Sequence, residues 1–372
     1  RHRPDAAPVL IMRILFITNG HGEDIIAARI IEELAGEDIS VLPLVGAGTV
    51  FDGLPVTVLG KRKKMPSGGF VYQSFSNIVR DIFSGLIGNS IEQIRLLRSL
   101  RTKFDLVVAV GDIVPIIGAM LTRTKFFFIG CAKSDHYDYS YTPWEKSFLK
   151  RYCSLCFPRD KKTSDNLSKY GIKCRFVGNP MMDCFKVTGE NFAVKEGTYT
   201  VGILPGTRDD AALNMQDIFS VTEELDKLAA KNGKDICYLA AVAPSADITS
   251  FPKKTNLIIT TDKFGDVISR ADAVLGLSGT GNEQAAGLGK PIISFPGRGV
   301  QYTASFAKRQ EQLLGEALTV TERAPGSTAA TVWSILTDPQ KKECMGKAGQ
   351  ERMGSSGASA QIAKLIKDEN RI

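Results

Sequence analysis

The chain has 372 residues, 43% of them hydrophobic and 23% charged, and a formal net charge of +7 at pH 7. That length suits two domains with separate cores, and the basic balance suits an anionic partner such as a phosphate-bearing substrate or an anionic membrane surface. No run approaches the ~18 apolar residues of a transmembrane helix, residues 1–11 lack a signal-peptide core, and no motif interleaves aromatic with basic residues, which sets nucleic acid aside and points to a cytoplasmic protein, soluble or peripheral on a membrane.

Residues 1–11 are polar and contain proline, and are expected to be a tag or disordered extension outside the fold. Arg13 to Thr18 then reads as a buried strand that breaks at Asn19-Gly20-His21-Gly22 into a helix with Ile25, Ile26, Ala28, Ile30 and Ile31 on its period. Glu23 and Asp24 in its first turn suit the positive end of the helix dipole. Further strands are predicted at Ser40 to Leu44, Leu106 to Val110 and Phe126 to Ile129, the last two ending in Gly111-Asp112 and Gly130. Between them lie a basic run, Lys61 to Lys64, and a loop with Pro66, Gly68 and Gly69. An apolar stripe of Val71, Phe75, Ile78, Ile82 and Leu86 follows, and Ser90 with Gln93 forms a capping-box pattern ahead of Arg95, Arg98 and Arg101. That stretch reads either as core with a solvated basic face or as a surface for anionic lipid.

Seven cysteines, an odd number, argue for free thiols in a reducing compartment. Cys153 and Cys156 have the first half of a zinc spacing, but Cys174 and Cys184 are too far apart to supply the second, so neither a metal nor a cofactor is expected. Gly189 to Gly197 reads as a linker between a domain at 12–188 and another at 198–372. The second domain repeats the pattern, with strands predicted at Tyr199 to Leu204, Ile236 to Val242, Leu257 to Thr260, Ala273 to Leu277 and Pro291 to Phe295. Strands alternating with helices give two α/β domains with parallel sheets, expected to face each other across a cleft.

The strongest motif follows the strand that ends at Gly276. Ser278, Gly279, Thr280 and Gly281, with Asn282, Glu283 and Gln284 opening an alanine-rich helix, provide small residues and first-turn amides suited to a diphosphate. Glu283 is placed to accept hydrogen bonds from ribose hydroxyls. A dinucleotide fingerprint fails, because its third glycine position is Gln284. A second loop, Leu204-Pro205-Gly206-Thr207-Arg208, offers a guanidinium fork for phosphate oxygens, and both loops in one domain could grip one diphosphate.

These two loops, together with Val177-Gly178-Asn179-Pro180-Met181-Met182-Asp183, resemble lipid-A-disaccharide synthase and its relatives over Met12 to about Gly346. Lys133-Ser134-Asp135-His136-Tyr137 and Val110-Gly111-Asp112-Ile113-Val114-Pro115 resemble a branch related to that synthase. The resemblance implies a GT-B fold of two Rossmann-like domains, an N-terminal one for the acceptor and a C-terminal one for the nucleotide-sugar, with a UDP-sugar donor and an acceptor at the membrane face. It also implies that Arg208 meets the donor phosphates, Ser278 to Gly281 the diphosphate and Glu283 the nucleoside, with Gln301 in the segment approaching donor sugar or phosphate. The first loop departs from the synthase pattern Gly-Glu-x-Ser-Gly-Asp, having Gly20-His21-Gly22-Glu23-Asp24 instead.

The expected activity is that of an inverting glycosyltransferase moving a sugar from a UDP-sugar, without a metal, to a lipid-linked or other membrane-proximal acceptor. Inversion is implied by the resemblance. Transfer needs a base for the acceptor hydroxyl, and His21 and Asp112 are the candidates, each at the end of a strand. Each also has a structural reading, as a helix cap. Gly20, Gly22, Asp135 and His136 are candidates for acceptor binding. The alternatives are a UDP-sugar 2-epimerase and a catalytically silent sugar-nucleotide or lipid-binding protein.

Overall fold

The computed structural model describes residues 11–60, 87–137, 140–206, 210–244 and 246–368. The basic run, its following loop and the stripe to Leu86 lie outside them, as do residues 1–10, Thr207 and Arg208. The chain divides into two compact units, the first made of residues 1–184 and 357–372, the second of 185–356.

Unit 1 contains β1 (Arg13–Thr18), α1 (His21–Glu32), β2 (Asp38–Pro43), β3 (Thr57–Val58), α2 (Ile87–Ser99), β4 (Leu106–Gly111), α3 (Ile113–Thr122) and β5 (Phe126–Gly130). After β5 come α4 (Pro143–Tyr152), β6 (Cys153–Pro158) and α5 (Lys161–Lys169). All strand pairs are parallel, in the order β3-β2-β1-β4-β5-β6. β1, β4 and β5 are covered on both faces, which is why they read as unbroken apolar runs rather than alternating ones. Ile14, Phe16 and Val108 pack on one side of the sheet; Leu15, Ile17 and Val107 pack on the other.

Unit 2 contains β7 (Tyr199–Leu204), α6 (Asp210–Lys231), β8 (Ile236–Ala241), β9 (Leu257–Thr260), α7 (Phe264–Arg270), β10 (Ala273–Gly276), α8 (Gly279–Gly287) and β11 (Ile292–Ser294). It continues with α9 (Ala304–Leu314), β12 (Leu318–Val320), α10 (Pro325–Leu336) and α11 (Pro339–Met353). Its sheet runs β12-β11-β10-β7-β8-β9, the same winding as unit 1. Both are the doubly wound order of dinucleotide-binding folds, so the expected pair of Rossmann-like domains is present.

Three expectations change. The final helix, α12 (Ala358–Asp368), belongs to unit 1 and not to the domain expected at 198–372. Its Ile362, Ala363 and Ile366 join the core that holds β1 and α1, and the Asp183 carboxylate accepts the amides of Gly357 and Ser359 at 2.5 and 2.7 Å. The boundary between units accordingly falls between Cys184 and Phe185, ahead of the expected linker, because Thr188 to Glu190 are already bound into unit 2 by the Asp266 carboxylate. The Ser90–Gln93 capping box does not open a helix, since α2 runs through it; Gln93 instead donates its side-chain amide to the Leu44 carbonyl at 2.9 Å.

Removing residues 357–372 uncovers the α1 surface under two isoleucines, a loss on the order of 4 kcal/mol. Thermal unfolding of that truncation should show unit 1 melting earlier with the transition of unit 2 unmoved; coincident transitions unchanged from the parent chain would contradict the packing role given to α12.

Candidate functional site

In a doubly wound sheet the connections leave the two central strands in opposite directions, and ligands bind beyond the carboxyl ends of those strands. In unit 1 the central strands are β1 and β4. Asn19, directly after β1, donates its side-chain amide to Asp112 Oδ1 at 3.0 Å, and the Val114 amide donates to the same oxygen at 2.9 Å. Asp112 is thus the N-cap of α3 and ties the two strand ends together. Among the described residues no donor reaches its other oxygen, Oδ2. The side chain is 7% exposed, and burial raises its pKa, opposed by the Val114 amide and the charge of Lys133. Gly111 makes the approach feasible: its φ is +130°, and a Cβ there would lie 3.2 Å from Glu23 Cγ and 3.5 Å from Asn19 Cβ.

His21 is the first residue of α1 and is exposed, as is Gly22, whereas Gly20 is a buried N-cap in extended conformation. Burial raises the pKa of Glu23, with Asp112 adding to the rise and His21 opposing it, so these three groups share one electrostatic neighbourhood. Asp24 does not meet the helix dipole from solvent as expected. It is 2% exposed, accepts the Thr18 hydroxyl, and is pushed up to about 6 by burial.

The segment after β5 is heavily cross-linked. Lys133 forms a buried ion pair with Glu145 of α4 at 2.6 Å, and Glu145 also accepts the Thr142 amide at 2.8 Å, closing a capping box. Both carboxylate oxygens of Asp135 are occupied, one by the Ser140 hydroxyl and the other by Asn166 of α5 at 2.7 Å. His136 Nε2 lies 3.7 Å from Asp160 Oδ1, and Arg159 donates to the Tyr137 hydroxyl at 3.1 Å. These contacts hold the loop of Asp135 and His136 against α5 beside the Asp112 edge, with neither side chain left loose in solvent.

In unit 2 the central strands are β7 and β10. Gly206 follows β7 with φ +96°, and a Cβ there would stand 3.0 Å from the Leu277 carbonyl oxygen, so the two loops touch through backbone. Ser278 caps α8 by accepting the Gly281 amide at 3.2 Å. The amides of Gly279 and Thr280, in the first turn, have no acceptor within the helix and Thr280 is exposed. Asn282 is buried and structural, donating to the Gly276 carbonyl at 3.2 Å and the Tyr302 hydroxyl at 3.1 Å. Glu283, one turn in, is held by Gln310 of α9 at 3.2 Å; Gln284 is buried beside it. The Gln301 amide donates to the Asp210 carboxylate at 3.0 Å, and Arg298 pairs with Asp217, fastening the 298–301 loop to the start of α6.

Three curated proteins match the sequence, and all three are named lipid-A-disaccharide synthase. The chain is similar to the lipid-A-disaccharide synthases. That of Syntrophotalea carbinolica is 24% identical over 263 residues, 60% of this chain and 64% of the relative. That of Trichlorobacter lovleyi is 22% identical over 220 residues, 53% of this chain and 57% of the relative. The chain therefore spans less than two thirds of the length of these relatives. No family model matches it. Among solved structures, CalG4, the calicheamicin glycosyltransferase, is 17% identical with a TM-score of 0.64 over 96% of this chain and 98% of its own. The UDP-GlcNAc 2-epimerase of Neisseria meningitidis bound to UDP-GlcNAc is 17% identical with a TM-score of 0.60, covering 96% of this chain and all of its own. Such likeness establishes the GT-B architecture.

The sequence reading left Asn19 as part of a turn and gave Asp24 only a helix-dipole role. An asparagine directly after the first strand, facing an Asp at the end of the strand that sheet order makes its neighbour, was the available signal for the first. Nothing local signalled the burial of the second.

A folded-state pKa of about 6 lies above the ordinary aspartate value of 3.8, so between these pH values folded Asp24 keeps a proton that the unfolded chain has lost. Stability contributed at low pH is then lost as pH rises through that window, by roughly 1–3 kcal/mol. Asp24→Asn keeps an acceptor for Thr18 without the charge. Its melting temperature should match the parent near pH 4 and exceed it above pH 6.5; parallel melting curves at both pH values would refute this.

Proposed function

We propose that the chain is a glycosyltransferase that holds a UDP-sugar at the switch point of unit 2 and a lipid-linked acceptor at that of unit 1, and transfers the sugar with inversion and without a metal ion. The observation that carries the reading is the Asp112 carboxylate, fixed through one oxygen at the unit 1 switch point and met at the other by no donor among the described residues. A buried carboxylate with a raised pKa suits a general base. We assign it that role in preference to His21, which is exposed at the start of α1. In this scheme the acceptor hydroxyl gives its proton to Oδ2 as its oxygen bonds the anomeric carbon, and the bond from that carbon to the UDP oxygen breaks. The charge of Asp112 in turn raises the pKa of Glu23 beside it, on top of burial.

The leaving diphosphate takes up negative charge, and the Gly279 and Thr280 amides with the α8 dipole stabilise it. Arg208, by resemblance, meets the same phosphates, Glu283 the ribose, and Gln301 the sugar side. The lipid character of the acceptor is supported by Val114 and Ile117, exposed on α3 immediately after Asp112, and by Ile91 and Ile94, exposed on α2, which packs on α3. The kinship with lipid-A-disaccharide synthases points the same way. The second reading, a UDP-sugar 2-epimerase, is favoured by the Neisseria meningitidis neighbour.

Calorimetry with UDP in EDTA should give binding that Arg208→Ala and Glu283→Ala each weaken at least about tenfold. Turnover of labelled UDP-sugar should release UDP only when a lipid acceptor is supplied, and Asp112→Asn should lower kcat by about 100-fold or more with UDP affinity unchanged. An epimerised UDP-sugar appearing without acceptor would replace this reading with the second.

A further inference from the structure

Outside the two switch points, α4 presents aromatic and basic side chains to solvent. Trp144, Phe148 and Tyr152 recur every four residues and so form one stripe along the helix. Trp144 meets Phe148 edge-on with centroids 6.0 Å apart, and Phe148 stacks on Tyr152 at 6.1 Å. The stripe is open to solvent, with Trp144 50% and Tyr152 44% exposed. Across the helix, Lys146 and Lys150 lie over the ring of Tyr170, itself 40% exposed, at 5.9 and 5.6 Å from its centroid. Arg151 stands on the crest between the two flanks, its guanidinium 5.5 Å from the Tyr152 ring centre.

At the far end of α4 the surface dips into a pocket of ≈ 340 Å³ lined by Lys125, Lys150, Cys153, Ser154, Gly171 and Lys173. Lys150 belongs both to the helix and to the pocket. A half-exposed aromatic stripe beside ammonium groups on long stems is the composition that settles at a bilayer interface, the rings at headgroup depth and the lysines against phosphate. A purely aqueous surface gains nothing from exposing these rings together. Three lysines, Lys125, Lys150 and Lys173, line the pocket, and Lys146 and Arg151 stand on the adjoining helix.

We infer that α4 and the lysine pocket at its end form the face by which unit 1 docks on an anionic phospholipid bilayer, the aromatic stripe entering the headgroup layer and the pocket receiving a lipid phosphate. The Lys133–Glu145 ion pair gives this face its link to chemistry, because it ties α4 directly to the loop that follows β5 beside Asp112. This consequence rests on the proposed lipid acceptor; the docking itself does not. A bilayer along α4 would hold that loop at the lipid surface, where an acceptor headgroup is presented.

The test uses the full chain with Trp333→Phe, which leaves Trp144 as its one tryptophan. With vesicles of phosphatidylcholine containing 30% phosphatidylglycerol, Trp144 emission should shift to the blue and the protein should float with the vesicles; with phosphatidylcholine alone it should stay in solution. In the parent chain, Trp144→Ser with Tyr152→Ser, and separately Lys150→Glu with Lys173→Glu, should each lower flotation at least about tenfold while calorimetric UDP binding is unchanged. Absence of flotation, equal flotation on neutral vesicles, or flotation undiminished in both double variants would overturn the assignment. Unaltered UDP binding in the variants separates that failure from failure of the donor site.

Discussion

A parallel sheet wound outward from its centre leaves one place where the connections diverge, and in both units Asn19, Asp112, Gly206 and Ser278 are arranged around that place. β1 and β4 in unit 1, and β7 and β10 in unit 2, end side by side with their following helices on opposite faces. The gap they leave has strand carbonyl ends on one side and helix amino ends on the other. In unit 1 the chain fills it with Asn19 and Asp112; in unit 2 with Gly206 and the Ser278 cap. One topological constraint thus provides a carboxylate in one unit and amide donors in the other, with the difference written in a handful of loop residues.

The unit 1 edge carries an electrostatic cost. Glu23, Asp24 and Asp112 are all raised by burial, and the neighbouring Cys131 thiol is pushed up as well. A fold under selection for stability alone would not concentrate three acids at one sheet edge, which is the pattern expected where protons are to be moved. The buried Lys133–Glu145 pair and the occupied Asp135 keep the adjoining loop in place despite that charge.

Central strands were legible because burial on both faces makes them continuous apolar runs: Arg13 to Thr18 and Tyr199 to Leu204 are found at their expected limits. Of the edge strands only the half-buried Leu257 to Thr260 was read at its limits. Thr57–Val58 and Leu318–Val320 are too short to show a period, and Cys153–Pro158 was read for its thiols although its cysteines pack in a strand, with Cys156 fully buried. The Ser278 loop was readable from its small residues before a helix. Asp24 looked like an ordinary helix-start acid, since the Thr18 hydroxyl that donates to it and the packing that buries it come from tertiary structure. Asp112 could be placed at a strand end, but the pinning of one oxygen by Asn19 depends on β1 and β4 being neighbours, which sequence order does not state.

The return of α12 to unit 1 sets an order of events during synthesis. Residues 185–356 are contiguous and leave the ribosome as a complete unit, able to fold as soon as they emerge. Unit 1 is made first yet waits for its last helix, so through the whole translation of unit 2 the nascent chain carries an uncovered apolar strip on α1. That interval is a natural point for a chaperone to hold the chain.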